Sequence, residues 1–347
     1  MGGAGAAGRA LGGRAARAAA GAAGGAGGAA AGAAGGRGGA AAGGGAAGPL
    51  PGPAVGPEWV AREQARRGLA VLDCSWYAPG LGRDGAAEWR TRRVPGAGFL
   101  CPDAVSDPEA ALPHMFPSRE GLSAAAAAAG VARGSPVVVY DGHSCAFAAA
   151  RAWYMFRSYG WDVAVMDGGL PAWERAGLPV ETSLKGEEEA AAAGAACRSA
   201  HSAAAEAGKP TQGPGGAVVS LDELRARLAS GACAVVDARS AGRFAGTAPE
   251  PRPGLPSGHM PGSVNVPFDV LLNERGELKP ADDLVVVFQR VGVRDPEQEV
   301  VLSCGTGITA CVPALALVQL GFSNVKIYDG SWAEWASRDD TEVLSAA

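Results

Sequence analysis

The sequence predicts an α/β protein with two similar domains, each a mostly parallel sheet flanked by helices on both faces. Short runs rich in Val, Ile and Leu alternate with helical stretches along most of the chain. That alternation is typical of parallel strands covered on both sides. The 347 residues are also enough for two domains.

An internal repeat is the second observation behind this prediction. Five blocks recur in the same order, and their offsets stay between 162 and 166 residues (69 to 233 is 164; 94 to 260 is 166; 163 to 325 is 162). The matched blocks are residues 69–73 with 233–237, 94–97 with 260–263, 136–141 with 299–304, 163–169 with 325–331, and Trp173 with Trp335. Chance seldom preserves such an order, so the chain contains two copies of one unit.

Helix boundaries can be placed from local signals. Ser220 and Glu223 form a capping-box pattern ahead of an apolar stretch, which predicts a helix start. Gly160 and Gly321 follow helical stretches in the two copies and predict helix ends.

Composition divides the chain into four segments. We expect a disordered leader at 1–56, a first domain at 57–180, a flexible linker at 181–216 and a second domain at 217–347. The leader consists almost entirely of Ala, Gly and Pro, carries four arginines and has no acidic residue before Glu58. Such composition suits an organelle import peptide and favours mitochondria, with the chloroplast or a cytoplasmic protein with an unaddressed tail as alternatives.

Charge and cysteine content limit the classes of function. A net charge of -5 gives no electrostatic case for nucleic acid, and no window of the leader is apolar enough to span a membrane. Seven cysteines at irregular spacing fit a reducing compartment, and four scattered histidines without a CxxC pair predict no metal site. We therefore expect no metal or other cofactor.

Cys304 is the candidate nucleophile. It ends an apolar run and opens a loop containing Gly305 and Gly307, after which a helical stretch begins. The glycines allow several backbone N–H groups to face one point, and the helix start favours an anion there, so the thiolate form is favoured. The loop has no basic side chain, so we expect backbone dipoles to be the local source of positive potential. The first copy has Asp141 at the matching position and so lacks a nucleophile there.

The chain resembles the tandem-rhodanese sulfurtransferases, and its second half resembles the branch that uses 3-mercaptopyruvate. The resemblance extends from about Trp59 to Ser337 and rests on residues 237–244 with 249–252, 257–265, 304–309 and 328–335. It implies two rhodanese-like domains and transfer of sulfane sulfur through a persulfide on Cys304 to a thiol acceptor such as thioredoxin or glutathione, or to cyanide. It further implies that the Thr306 hydroxyl handles protons and that Arg243 and Arg252 clamp the substrate carboxylate. The loop amides would come from Gly305, Gly307, Ile308 and Thr309.

One position departs from the resembled pattern. Arg93 stands where the first domain of relatives usually has histidine, so a proton relay through that histidine is expected to be missing.

Three other functions share this fold or part of this chemistry. Thiosulfate:cyanide sulfurtransferase is the alternative within the same chemistry, although Gly305 and Thr306 leave the loop without the basic residues that suit a dianion. A non-catalytic sulfane-sulfur carrier is a second alternative. A cysteine-dependent phosphatase of the same fold is disfavoured because position 310 is alanine where an arginine would be needed.

Overall fold

The protein is described by a computed structural model over residues 48–78, 80–107, 109–143, 146–183 and 216–345. Most of the predicted leader, most of the predicted linker and Cys145 lie outside the described residues. No helix within these ranges is long and apolar enough to cross a membrane.

Two five-stranded parallel sheets form the framework. The first has the order β1-β5-β4-β2-β3, with strands β1 Ala54–Val55, β2 Ala70–Asp73, β3 Gly98–Phe99, β4 Val137–Tyr140 and β5 Val163–Met166. The second repeats this order as β6-β10-β9-β7-β8, with β6 Val218–Val219, β7 Ala234–Asp237, β8 Ser263–Asn265, β9 Val300–Ser303 and β10 Val325–Tyr328. Every strand pair is parallel, so the predicted fold class is confirmed.

Helices connect the strands in both halves. In the first half these are α1 Pro57–Arg67, α2 Gly85–Thr91, α3 Arg119–Ala128, α4 Phe147–Ser158 and α5 Gly169–Arg175. In the second half they are α6 Leu221–Ser230, α7 Ala241–Ala245, α8 Ala281–Arg290, α9 Cys311–Gln319 and α10 Ser331–Trp335, with a 3-10 turn at Phe268–Leu271.

The helix boundaries predicted from the sequence are confirmed. The capping box at Ser220 and Glu223 is formed at the start of α6. Helices α4 and α9 are each followed by a glycine in the left-handed region, Gly160 at φ 80° and Gly321 at φ 87°. Only glycine adopts that conformation at little cost, which is why each helix ends there.

The same strand register repeats at the carboxyl edge of each sheet, next to the predicted nucleophile in the second. Asp73 pairs with Tyr140 in the first sheet, and Asp237 pairs with Ser303 in the second. The next residues along the chain are Asp141 and Cys304. The two domains therefore present equivalent positions at the carboxyl edges of their sheets, where α/β proteins commonly bind ligands.

The two domains share one apolar core. Helices α4 and α9 pack against each other, and a single cluster of buried side chains runs from the first sheet to the second. Polar contacts flank this core in equivalent pairs. Asp329 accepts a hydrogen bond from the Phe116 amide (2.6 Å), and its counterpart Asp167 accepts one from the Leu278 amide (3.0 Å).

Candidate active site

The loop after β9 holds Cys304 at the carboxyl edge of the second sheet. Cys304 directly follows β9, and residues 305–310 form turns before α9 begins at Cys311. The side chain is buried, with 1% of its surface exposed. A sulfur donor must therefore reach a thiol that lies below the protein surface.

The backbone of Cys304 is fixed by the start of α10. Its amide donates to Oγ of Ser331 (3.3 Å), and that hydroxyl donates to the Tyr328 carbonyl (2.8 Å). The Trp332 amide donates to the Cys304 carbonyl, and the Ala333 amide donates to the Gly305 carbonyl, both at 3.0 Å. Ser331 is at φ 51°, where its first-domain counterpart is a glycine, so its hydroxyl offsets the backbone strain.

The amides of the loop are not used inside the protein. Within the described ranges, the N–H groups of residues 305–309 donate to no backbone or side-chain acceptor. Thr306, Gly307 and Ile308 are nonetheless buried, and Thr309 is half-buried. Buried backbone N–H groups are rarely left without an acceptor, so this run of donors is available to an anionic ligand.

The first domain shows what this kind of loop binds. Asp141, the counterpart of Cys304, is buried, and its Oδ2 accepts a hydrogen bond from the Ala149 amide (3.3 Å). Burial raises the pKa of Asp141, while the amides of Ala149, Ala148 and His143 act against that rise. A strand-to-helix loop of this chain thus directs several amides at the side chain in the cysteine position.

Two arginines approach the cysteine loop, so one expectation from the sequence was wrong. A Cβ atom at position 305 would lie 3.2 Å from Nη2 of Arg243, and a Cβ at 307 would lie 3.2 Å from Nη1 of Arg151. The local positive potential therefore comes from guanidinium groups as well as backbone dipoles. The prediction failed because both side chains enter from other elements.

Arg243 is held by a buried carboxylate. Its Nε and Nη2 bind the two oxygens of Glu250 at 3.0 and 2.6 Å. Arg243 and Glu250 therefore form an ion pair beside the loop. It uses one edge of the guanidinium, and it orients the group against Gly305.

Arg252 is placed differently. It lies on the exposed stretch 251–254, and no hydrogen bond or ion pair links it to any other described residue. Arg243 therefore lies at the loop. Arg252 is a surface cation that is near Arg243 in the sequence.

Arg151 links the first domain to the cysteine loop, and sequence reasoning missed it. It extends from α4, is completely buried, and donates to the Gly307 carbonyl (3.3 Å), to Asp329 (2.9 Å) and to the His114 carbonyl. Gly307 is at φ 81°, and a Cβ atom there would lie 3.2 Å from both this guanidinium and Asp329. The loop conformation therefore depends on a residue of the domain that lacks the nucleophile.

A histidine–carboxylate pair is joined to the same guanidinium through the His114 carbonyl. Nδ1 of His114 is 2.6 Å from Oδ1 of Asp103, and the His114 ring lies against Trp76. Arg93, at the position expected to carry the family histidine, is buried and paired with Glu181 (3.0 Å). The substitution at 93 therefore does not leave the interface without a histidine. No local sequence pattern points to His114, because its neighbours come together only in the fold.

His259 and Cys311 have structural surroundings. His259 Nδ1 contacts the Phe244 carbonyl at 2.9 Å. Burial raises the pKa of the Cys311 thiol to about 12, and its Sγ lies 3.3 Å from the Gly307 carbonyl, so it is a protonated loop contact and not a nucleophile. Within the described ranges, no group of three or more His, Cys, Asp or Glu side chains could hold a metal ion.

Comparisons with known proteins agree with this geometry. The family model for the rhodanese-like domain matches residues 56–176 and 220–338. A relative from Arabidopsis thaliana, named thiosulfate/3-mercaptopyruvate sulfurtransferase 1, mitochondrial, is 38% identical over 298 residues, covering 84% of this chain and 78% of the relative. Human 3-mercaptopyruvate sulfurtransferase is 37% identical over 290 residues, covering 82% of this chain and 92% of that protein.

A solved structure matches along the same length. The crystal structure of SseA from Escherichia coli, described as a 3-mercaptopyruvate sulfotransferase, has a TM-score of 0.64 and 33% sequence identity. The match covers 81% of this chain and 99% of SseA. The likeness therefore includes both domains and the loop between β9 and α9.

Proposed function

The chain belongs to the rhodanese family and is a sulfurtransferase, and from this premise we propose that it moves sulfur from 3-mercaptopyruvate through a persulfide on Cys304. The observation that carries this proposal is the run of unused amides at 305–309 beside the cysteine. A thiolate and the outer sulfur of a persulfide are both anions that such donors stabilise. The rhodanese-like matches also support domain limits near 57–180 and 217–347, with a leader and a linker outside them.

The first half of the reaction is a displacement at sulfur. The Cys304 thiolate attacks the sulfur of the donor, a new S–S bond forms, and the C–S bond breaks. The electron pair of that bond stays on carbon as the enolate of pyruvate, which takes up the proton released from the donor thiol. This divides the transfer into two steps with a covalent intermediate and predicts ping-pong kinetics.

Arginine recognition supports a carboxylate donor. Glu250 occupies the Nε edge of Arg243, which leaves Nη1 without a partner in the described structure. Arg252 has no partner there either, and the fork of a guanidinium suits a planar carboxylate. We propose that Arg243 and Arg252 bind the carboxylate and that the amides of Gly305, Gly307, Ile308 and Thr309 bind the transferred sulfur.

The returning proton needs a carrier. Thr306 is buried in the loop two residues from Cys304 and offers a hydroxyl that both donates and accepts. The His114–Asp103 pair belongs to the first domain, and the His114 carbonyl accepts from the same arginine as the Gly307 carbonyl. We propose Thr306 as the immediate relay, with the His114–Asp103 pair as its exchange partner.

The second half transfers the outer sulfur to an acceptor. A thiolate attacks that sulfur and leaves the Cys304 thiolate. A dithiol such as thioredoxin can then release sulfide and close to a disulfide, whereas glutathione or cyanide would keep the sulfur. Thiosulfate is the alternative donor, since the Arabidopsis relative carries both donors in its name.

One set of assays tests the proposed function. Pyruvate release from mercaptopyruvate and thiocyanate formation from thiosulfate would be compared in wild type and Cys304→Ser, with Cys233→Ser as the matched control because Cys233 is half-buried at the edge of the second domain. We expect Cys304→Ser alone to abolish both reactions. Mass spectrometry after donor treatment should place one added sulfur atom on Cys304, and a sulfur adduct elsewhere, or none, would contradict the mechanism.

Mitochondrial import is proposed from the leader. Four arginines without an acidic residue before Glu58, together with the mitochondrial name of the Arabidopsis relative, support it. Residues 1–56 fused to a fluorescent protein should direct it to mitochondria. Uniform cytoplasmic or chloroplast fluorescence would contradict this location.

A further inference from the structure

The two domains have the same backbone at the carboxyl edges of their central strands. The Ser75 amide donates to Oδ1 of Asp73 at 2.9 Å, and the Arg239 amide donates to Oδ1 of Asp237 at the same distance. The Leu170 amide donates to the carbonyl of Asp141 (2.9 Å), as the Trp332 amide does to that of Cys304 (3.0 Å). Position 75 is therefore the counterpart of 239, and 170 is the counterpart of 332.

In the second domain a guanidinium occupies the space above Asp237. The Arg239 side chain is buried, donates to Asp237 through Nε (2.9 Å) and to Glu250 through Nη1 (2.8 Å), and stacks on the Trp332 ring at 4.0 Å. Glu250 in turn binds Arg243. The four side chains form a buried row of alternating charge whose sum is zero.

The first domain keeps three of these four charges, although its glutamate and arginine are exposed. Glu88 binds Arg83 through two hydrogen bonds (2.7 and 2.6 Å), as Glu250 binds Arg243, and it also accepts one from the Tyr77 hydroxyl (2.7 Å). Asp73 stands at the position of Asp237. The missing member is the central guanidinium, because position 75 is serine, and the missing stacking surface is the indole, because position 170 is leucine.

A cavity of about 270 Å³ occupies the space of the missing side chains. Asp73, Ser75, Glu88, Gly142 and Leu170 line it. Arg83 and Arg92 line it as well, but each is paired with a glutamate, Glu88 and Glu174 respectively. The cavity thus has one acidic group, Asp73, without a cationic partner.

The surroundings of Asp73 agree with a missing cation. Its carboxyl is 2% exposed and is bound only by uncharged donors, the Ser75 amide and hydroxyl and the Tyr140 hydroxyl. Burial raises its pKa to about 7, and the buried carboxyl of Asp141 adds to that rise. A buried carboxylate is costly to ionise unless a charge compensates it.

We propose that this cavity of the first domain binds a small organic cation that carries a guanidinium or primary ammonium group. The cation takes the place that Arg239 fills in the second domain and donates to Asp73 and Glu88. The domain without a nucleophile would then have a ligand site of its own, separate from Cys304.

Titration calorimetry with agmatine tests the proposal on the full-length protein. We expect saturable binding at micromolar to millimolar concentration, and no binding of tetramethylammonium, which has the charge but no N–H donors. Ser75→Arg would place a guanidinium of the protein in the cavity, as Arg239 does in the second domain. It should therefore weaken agmatine binding about tenfold or more. Ser230→Arg introduces the same residue at an exposed helix end and should leave binding unchanged.

Two further variants distinguish the loss of the binding site from a folding defect. Leu170→Trp fills the cavity from the opposite wall and should also weaken agmatine binding, while Cys304→Ser should bind it as the wild type does. The proposal is overturned by wild-type protein that shows no saturable agmatine binding. Binding that tetramethylammonium reproduces, or that survives both filling variants, would overturn it as well.

Discussion

Replacing Arg151 with methionine tests whether the first domain controls the catalytic loop. Methionine has a similar length and flexibility but no charge and no donors. The change leaves Oδ1 of Asp329 without its cation, although Oδ2 keeps the Phe116 amide. Removing one partner of a buried ion pair costs roughly 3–5 kcal/mol, which is less than the stability of most domains at about 5–15 kcal/mol. We therefore expect a folded protein with lower resistance to urea.

Activity should fall for a separate reason. Without Arg151 the Gly307 carbonyl loses its donor, and the loop carrying the amides is free to shift. A displacement near 1 Å in an active site can cost about a hundredfold in rate. We expect kcat for pyruvate release to drop by about ten- to a hundredfold, with a smaller change in KM because the Arg243–Glu250 pair is untouched.

Two companion variants separate positioning from stability. Arg151→Lys keeps a charge for Asp329, but a single ammonium cannot reach the Gly307 and His114 carbonyls together with it. Arg151→Met with Asp329→Asn removes the uncompensated charge. Both should recover much of the unfolding free energy while kcat stays low, and Arg157→Met, on the exposed face of α4, should change neither. If kcat recovers in step with stability across these variants, the positioning role is wrong.

Three other predictions follow from the same geometry. Arg252→Ala should raise KM for mercaptopyruvate far more than for thiosulfate, and equal effects on both donors would count against the clamp. Gly307→Ala should reduce kcat at least about tenfold, because φ 81° is strained for alanine and contacts at 3.2 Å would make the neighbours shift; wild-type turnover would contradict this. Burial raises the pKa of Asp167 to about 6 from 3.8, so its ionisation opposes folding and stability falls as pH rises from about 4 to 6. Asp167→Asn keeps an oxygen for the Leu278 amide and should therefore stabilise the protein at pH 7 by up to about 3 kcal/mol in urea unfolding; a loss of stability there would show that the carboxylate is needed.

The parts of the site that the sequence could predict are local ones. The strand Val300–Ser303, the glycine loop and the helix after it each follow from apolar runs and turn residues within about a dozen positions. The partner of Arg243 was also visible, because Glu250 lies seven residues away in the same motif. Short-range patterns of this kind specify backbone geometry, and the nucleophile position depends on little else.

The parts that could not be predicted depend on distant residues. Arg151 binds Gly307 and Asp329 at separations of 156 and 178 residues, and no periodicity or spacing connects them. The repeat offers no hint, since the residue matching Arg151 in the second copy is Ala314. For the same reason the sequence suggested a loop without nearby cations, and it left His114 as one of several scattered histidines.

The asymmetry between the domains is consistent with the proposal that only the second of two similar loops carries the chemistry. Asp329 and Asp167 each accept a hydrogen bond from a backbone amide of the opposite domain, so this contact is common to both copies of the repeat. Only Asp329 has in addition an arginine from the opposite domain, and that arginine also holds the Gly307 carbonyl. In the first domain the cysteine position is an aspartate that binds the helix amides itself. The first domain thus places a carboxylate against its helix amides and supplies an arginine to the other domain, while the amides of 305–309 donate to no described acceptor and are available to a ligand.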